Sequence, residues 1–360
     1  MKLVKTEDAV GHVLCHDITQ IIKDEKKGPV FRKGHIIAPE DIPVLLSVGK
    51  EHLYIWENNE KMLHEDEAAA ILRDLCMGEN MHATEPKEGK IELVADIDGL
   101  LLIDIERLRA INALGDMMIA TRSSGFVVKK GEKLCGTRVI PLIIEKERME
   151  KAKAVVGSEP LMRLLPLKSK KVGVVTTGSE VFYGRIQDTF TPVIEQKLRE
   201  FGGSVMTEHV TLNDDHEKIT AAILDMLDKG CEMVVCSGGM SVDPDDKTPL
   251  AIKNTGANIV SYGSPVLPGA MFLVSYMPDG RPVCGLPGCV MYAKRTIFDL
   301  LLPYLVTDTP ITKEHLAGLG HGGLCLNCKV CHFPNCGFGN GIYAALSPVL
   351  PVYARKAVFI

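Results

Sequence analysis

Three short stretches of this 360-residue chain have the composition of loops that hold a ligand. Thr177-Gly178-Ser179-Glu180 follows an apolar run that starts at Lys171. Ser237-Gly238-Gly239-Met240-Ser241 follows Glu232–Cys236, and Gly285-Leu286-Pro287-Gly288 follows a third apolar run. A second kind of chemistry is suggested by Cys325, Cys328, Cys331 and Cys336, set among glycines with His321 and His332 nearby. Thiolates at two-residue spacing can converge on one ion, and four complete a tetrahedral shell of the kind zinc takes. The run is also close to the ferredoxin pattern that carries an iron–sulfur cluster, although the last gap is four residues and no proline follows. The spacing alone leaves Zn2+ and an iron–sulfur cluster both open. The other seven of the eleven cysteines are scattered and read as small buried hydrophobes.

The elements that position the loops follow from apolar periodicity. From residue 170 to 306, apolar runs of strand length alternate with helical patterns. These cover Asp188–Phe201, Asp214–Leu227, Asp245–Asn254 and Val290–Leu302. Ile194, Leu198 and Phe201 give one helix its apolar face, and Gly202-Gly203 closes it. Such a rhythm implies an α/β fold, a three-layer unit with a mostly parallel sheet covered on both faces. Loops after its strands gather at the carboxyl edge of the sheet, where such folds bind ligands.

The remainder is expected to divide into residues 1–60, an opening region of short elements; 61–168, a helix followed by a small mixed β-rich unit and a connection; and 307–360, a Cys-rich tail after the unit at 169–306. Within the first, Pro39–Gly49 reads as a helix and His52–Trp56 as a strand, with Trp56 in the core. Residues 61–80 read as a helix, Ile91–Asp96 as a strand and 155–169 as the connection. The apolar stretch 342–360 reads as a strand returning to the body.

Bulk composition narrows the function. A net charge of −5 and a pI near 6.1 give no broad case for nucleic-acid binding. The first twenty residues carry Lys2, Lys5, Glu7, Asp8 and Asp17, unlike a signal peptide. No apolar run is long enough for a membrane helix. A cytoplasmic protein with no membrane or nucleic-acid partner is expected.

Residues 170–306 resemble the molybdopterin-binding domain of the molybdenum-cofactor biosynthesis family, more narrowly its molybdopterin molybdotransferase branch. The resemblance rests on Thr177-Gly178-Ser179-Glu180, Gly184-Arg185-Ile186-Gln187-Asp188-Thr189, Ser237-Gly238-Gly239-Met240-Ser241-Val242 with Asp246 beyond it, and Gly285-Leu286-Pro287-Gly288, in order and at matching spacing. Residues Gly11–Asp17 and Lys33–Trp56 resemble other family segments. The resemblance implies molybdopterin or its adenylate as ligand, molybdate as a further partner, and a homodimer, since the family is commonly dimeric.

For such an anionic ligand, small-residue loops let backbone N–H groups approach closely, and helix N-termini favour negative charge. The implied binding residues are Thr177, Gly178, Ser179, Asp188, Ser237, Gly238, Gly239, Ser241, Gly285, Pro287 and Gly288. Asp188 either caps its helix or holds a ligand hydroxyl. The implied catalytic residues are Glu180, Asp214 and Asp246, as ligands of Mg2+, as holders of a water, or in adenylate cleavage; hard oxygens suit Mg2+. Asp214 has a second reading as a helix start.

The chain departs from the family in four places. Ser179 stands where the family has Asp. Phe190 stands where it has Asn. Leu267-Pro268-Gly269-Ala270-Met271 lacks both lysines of its Lys-Pro-Gly-Lys-Pro loop. Cys289 replaces the residue after its Gly-Leu-Pro-Gly. Two lost cations remove charge-assisted contacts of about 1.5–3 kcal/mol each. Molybdenum insertion by a transferase is therefore one expectation. The others are a non-catalytic molybdopterin-binding sensor or accessory protein, and a nucleotide pyrophosphatase of the competence-damage-inducible type, a family that shares the domain.

Overall fold

The computed structural model describes residues 2–22, 26–55, 61–87, 89–241, 243–244 and 246–341. Trp56 and the stretch 342–360 lie outside them, as do Val242, just after the Ser237–Ser241 loop, and Asp245.

The central unit is an α/β sandwich. Its elements are β1 (Lys171–Thr177), α1 (Ser179–Phe182), α2 (Phe190–Glu200), β2 (Val205–Leu212), α3 (His216–Asp228), β3 (Met233–Ser237), α4 (Thr248–Asn254), β4 (Asn258–Tyr262), β5 (Leu273–Tyr276), β6 (Pro282–Leu286) and α5 (Ile297–Val306). The six strands lie in the order β2-β1-β3-β6-β5-β4. β2, β1, β3 and β6 run parallel, while β5 runs antiparallel to both β6 and β4.

Alternate residues of each parallel strand feed opposite cores. Val172, Val174, Met233, Val235, Cys284 and Leu286 pack with α2 and α5. Val175, Val234, Cys236 and Val283 pack with α3 and α4. With both faces covered, these strands read in the sequence as unbroken apolar runs.

Local chemistry sets the helix ends. Asp215 caps α3 by accepting from the N–H groups of Glu217 and Lys218, and Ile219, Ile223, Met226 and Leu227 form its buried stripe. The sequence predicts a helix over Val290–Leu302, but α5 begins at Ile297. Thr296 and Asp299 form a capping box there, and Gly288–Met291 is a separate 3-10 turn. A further short helix, Lys313–Gly318, follows.

Among the described strands that escape the sequence reading, two join the 61–168 region to the α/β unit. Gly99–Ile103 is the middle strand of a three-stranded antiparallel sheet, between Phe126–Val128 and Met162–Pro166. Met162–Pro166 lies in the stretch read as a connection. Gly99–Ile103 is buried on both faces: Leu100 and Leu102 join the core around α5, while Leu101 and Ile103 join a second core with Leu72, Leu93 and Met149. This strand therefore packs the 61–168 region onto the α/β unit. Nearer the start of the chain, Ala9, Leu14, Ile18, Ile37, Leu45 and Leu53 form a small core of their own.

Candidate functional site

Because β2, β1, β3 and β6 are adjacent and parallel, the loops after them share one edge of the sheet. The loop after β1 turns at Gly178, with φ of 135°. Ser179 donates to Asp214 Oδ2 from both its N–H and its hydroxyl, at 3.0 Å each. Asp214 follows β2, so this pair joins the first two loops. Asp214 is not the helix cap that was one of its readings, because the neighbouring Asp215 takes that role.

The third loop closes on the first. Thr177 donates to the Ser237 carbonyl at 3.3 Å, and its hydroxyl lies 3.2 Å from that of Thr248, at the start of α4. Gly238 has φ of 88°, and a Cβ there would stand 2.2 Å from the Thr177 carbonyl oxygen. A Cβ on Gly239 would lie 2.7 Å from the Thr248 hydroxyl and 3.6 Å from Asp214 Oδ1. The backbone reaches this closeness because these two residues have no side chains. Farther along, the Ser241 N–H donates to Asp246 Oδ2 at 2.6 Å, and the Tyr262 hydroxyl donates to the Met240 carbonyl at 2.8 Å.

The fourth loop is placed by packing. Met240 covers Gly285, where a Cβ would stand 2.5 Å from its sulfur. Pro287 leads into the 3-10 turn, and Gly288 comes within reach of the Phe190 ring, 4.0 Å from a Cβ built on it. Burial pushes the Cys289 thiol up, against a smaller downward pull from its own backbone, which keeps it protonated.

Asp188 sits beside this edge in a network that sequence reasoning did not find. It accepts from the N–H groups of Phe190 (2.9 Å) and Thr191 (3.0 Å), so it caps the first turn of α2. The hydroxyls of Thr176 and Thr191 also donate to it. Both hydroxyls lie 3.1 Å from His209 Nε2, which is 3.6 Å from Asp188 Oδ2. His209 comes from the middle of β2, and no local motif marks it.

Burial pushes the Asp188 carboxyl up, but the hydroxyl and N–H of Thr191, the N–H of Phe190 and nearby His209 outweigh it and hold it below its ordinary value. A depressed carboxylate stabilises the fold above its ordinary titration range, and that contribution fades as pH falls through the folded value. Asp188→Asn keeps an acceptor for the two N–H groups but loses the charge and the second oxygen that takes the Thr176 and Thr191 hydroxyls, and is expected to cost about 1 kcal/mol at neutral pH, the scale of one hydrogen bond. The gap from the parent should narrow on acidification. Thermal melts of both proteins from about pH 7 to about pH 4 check this; a gap that is constant or widens contradicts it.

The acids do not gather round a cation. Asp214 and Asp246 each accept from loop donors. Glu180 is exposed and folds back over Gly178, its Oε1 3.1 Å from a Cβ built there. Among the described residues, no three His, Cys, Asp or Glu side chains are arranged to hold a single ion, at this edge or in the cysteine tail.

Four buried polar atoms at the same edge have no hydrogen-bond partner among the described residues: Ser237 Oγ, Asn213 Oδ1, His216 Nδ1 and Ser264 Oγ. Ser237 is fully buried. A buried polar group without a partner costs about 1–3 kcal/mol. Their concentration after β2, β3 and β4 suits a polar ligand. Among the described residues no helix is long and apolar enough to cross a membrane.

Comparison with known proteins gives this edge a family. A model described as a probable molybdopterin binding domain matches residues 173–307, and one described as a domain of unknown function (DUF8806) matches residues 3–57. CinA-like proteins of Mycobacterium avium (strain 104) and Mycobacterium tuberculosis (strain ATCC 25618 / H37Rv) are each 38% identical over 81 residues, 22% of this chain. The match spans only 18% of those relatives' own length.

Among solved structures, the molybdopterin biosynthesis enzyme MoaB from Thermus thermophilus has 20% identity and a TM-score of 0.32, covering 40% of this chain and 98% of that one. The molybdopterin biosynthesis Mog protein from Mycobacterium ulcerans has 16% identity and a TM-score of 0.29, covering 38% and 92%. From the family match and the four motifs it spans, residues 173–307 are a molybdopterin-binding domain of the molybdenum-cofactor biosynthesis family.

Proposed function

We propose that this edge binds molybdopterin or its adenylate and that the protein serves molybdenum-cofactor biosynthesis as a binding protein. The observation that carries the reading is the knot of Thr177, Ser179, Asp214, Gly238 and Thr248, which brings three loops together beside Ser237 Oγ and Asn213 Oδ1, both without a partner among the described residues. Phosphate and pterin amide groups are the kind of partner such donors and acceptors take.

Two observations favour holding a ligand over inserting molybdenum. The loop that carries two lysines in the family is here paired through its backbone: the Leu267 N–H donates to the Gly323 carbonyl at 2.9 Å and the Cys325 N–H to the Leu267 carbonyl at 2.8 Å. Asp214 and Asp246 spend acceptor capacity on the loops.

The test is anaerobic titration of the purified protein with molybdopterin, following bound pterin by fluorescence after oxidation. About one equivalent per chain is expected for a single cradle. No retained pterin, in native preparations or after titration, overturns the reading. The CinA-like matches support a second reading, pyrophosphate cleavage in a nucleotide. Turnover of ADP-ribose to AMP by a protein that retains no pterin would establish that one instead.

A further inference from the structure

The cysteine tail does not hang free of the body. Besides the pairing of Cys325 with Leu267, Lys294 Nζ donates to the carbonyls of Cys328 (3.1 Å) and Lys329 (2.7 Å). The Arg295 guanidinium stands 4.9 Å from the Phe333 ring centre. Arg295 is itself fixed by Glu200 at 2.6 Å and Asp299 at 2.9 Å. Phe333 meets Phe126 edge-on at 5.8 Å. The tail is thus clamped between the segment before α5 and the strand region of residue 126.

Beside this clamp lies a cavity of about 200 Å³ that opens to solvent. Cys325, Cys328, Cys331 and Cys336 all line it, together with Lys294 and Arg295. The four thiols share this one cavity, and their two-residue spacing is close to the ferredoxin run. Zinc draws its four sulfurs to about 2.3 Å from one point. A cluster of several atoms needs its four thiolates spread around a larger body.

We propose that this cavity is a binding site for an iron–sulfur cluster of the [4Fe–4S] class, ligated by Cys325, Cys328, Cys331 and Cys336. Four thiolates give the bound cluster a net negative charge, and the lining includes two cationic residues, Lys294 and Arg295. The rest of the lining includes Leu324, Leu326 and Phe338, a largely apolar surround of the kind that tunes cluster potential. Cys328 and Cys331 are exposed, so the cluster meets solvent on one side and would be oxygen-sensitive.

The test uses the full chain. Apo-protein is incubated without oxygen with ferric iron, sulfide and a thiol reductant, which supplies two electrons per four irons as it is oxidised to disulfide, then desalted and assayed for iron and acid-labile sulfide. About four of each per chain are expected, with broad visible absorption that bleaches on reduction. Cys328→Ser and Cys331→Ser, at exposed positions and checked for folding by circular dichroism, should each lower both counts by at least about half. The proposal is overturned if the parent retains no more iron and sulfide than a chain with all four cysteines changed to serine. It is also overturned if the parent takes up zinc and no labile sulfide. The readout is iron and sulfide, so this inference stands or falls apart from the pterin reading.

Discussion

Lys197→Met is expected to destabilise the protein by about 3 kcal/mol, the lower end of the roughly 3–5 kcal/mol seen when one partner of a buried ion pair is removed. Lys197, on α2, places its ammonium 2.6 and 2.8 Å from the two carboxylate oxygens of Asp299, on α5. Asp299 is fully buried and only 7% of the Lys197 side chain is accessible. Without the lysine, the Asp299 carboxylate keeps Arg295 at 2.9 Å and the Thr296 N–H at 2.8 Å, which is why the smaller figure applies.

Arg295 is shared with Glu200, so it cannot neutralise both acids. Adding Asp299→Asn to Lys197→Met removes the stranded charge and should recover part of the loss. Urea unfolding of the two variants and the parent reads the difference. A loss below about 1 kcal/mol for the single change, the scale of an exposed pair, would show that the pair is not effectively buried.

Gly238→Ala is expected to weaken pterin binding at least about tenfold, or about 1.4 kcal/mol. The new methyl would stand 2.2 Å from the Thr177 carbonyl and 2.9 Å from the Thr177 hydroxyl, and φ of 88° is a conformation that L-residues avoid. Relief requires the loops after β1 and β3 to part, and Thr177, Ser179 and Asp214 with them. The fold should survive, since the β1 and β3 ladder lies upstream of the glycine. Binding titration and a melting curve on the same sample separate the two effects. Unchanged affinity in a folded variant would mean that this contact does not shape the ligand site.

The alternation of strands and helices from 170 to 306 was legible because burial on both faces forces unbroken apolar runs in β1, β3 and β6. The glycine loops were legible because a close approach of two backbones admits only glycine, as at Gly238 and Gly239. The roles of neighbouring acids were not. Asp214 and Asp215 look alike in the chain, yet one joins two loops and the other caps α3. His209 was invisible for the same reason: its partners Thr176, Thr191 and Asp188 are remote in sequence.

The sequence by itself therefore determined the layered α/β unit, the identity of its loops and the presence of four closely spaced thiols. These depend on period, residue size and spacing, which are local. Tertiary structure alone decided that Gly99–Ile103 would bury both faces, that Lys197 would meet Asp299, and that Cys325 would pair with Leu267 where the family carries its lysines. Each of those joins residues some sixty to a hundred positions apart or two separate cores, and local preference carries no information about which distant surface a side chain will meet.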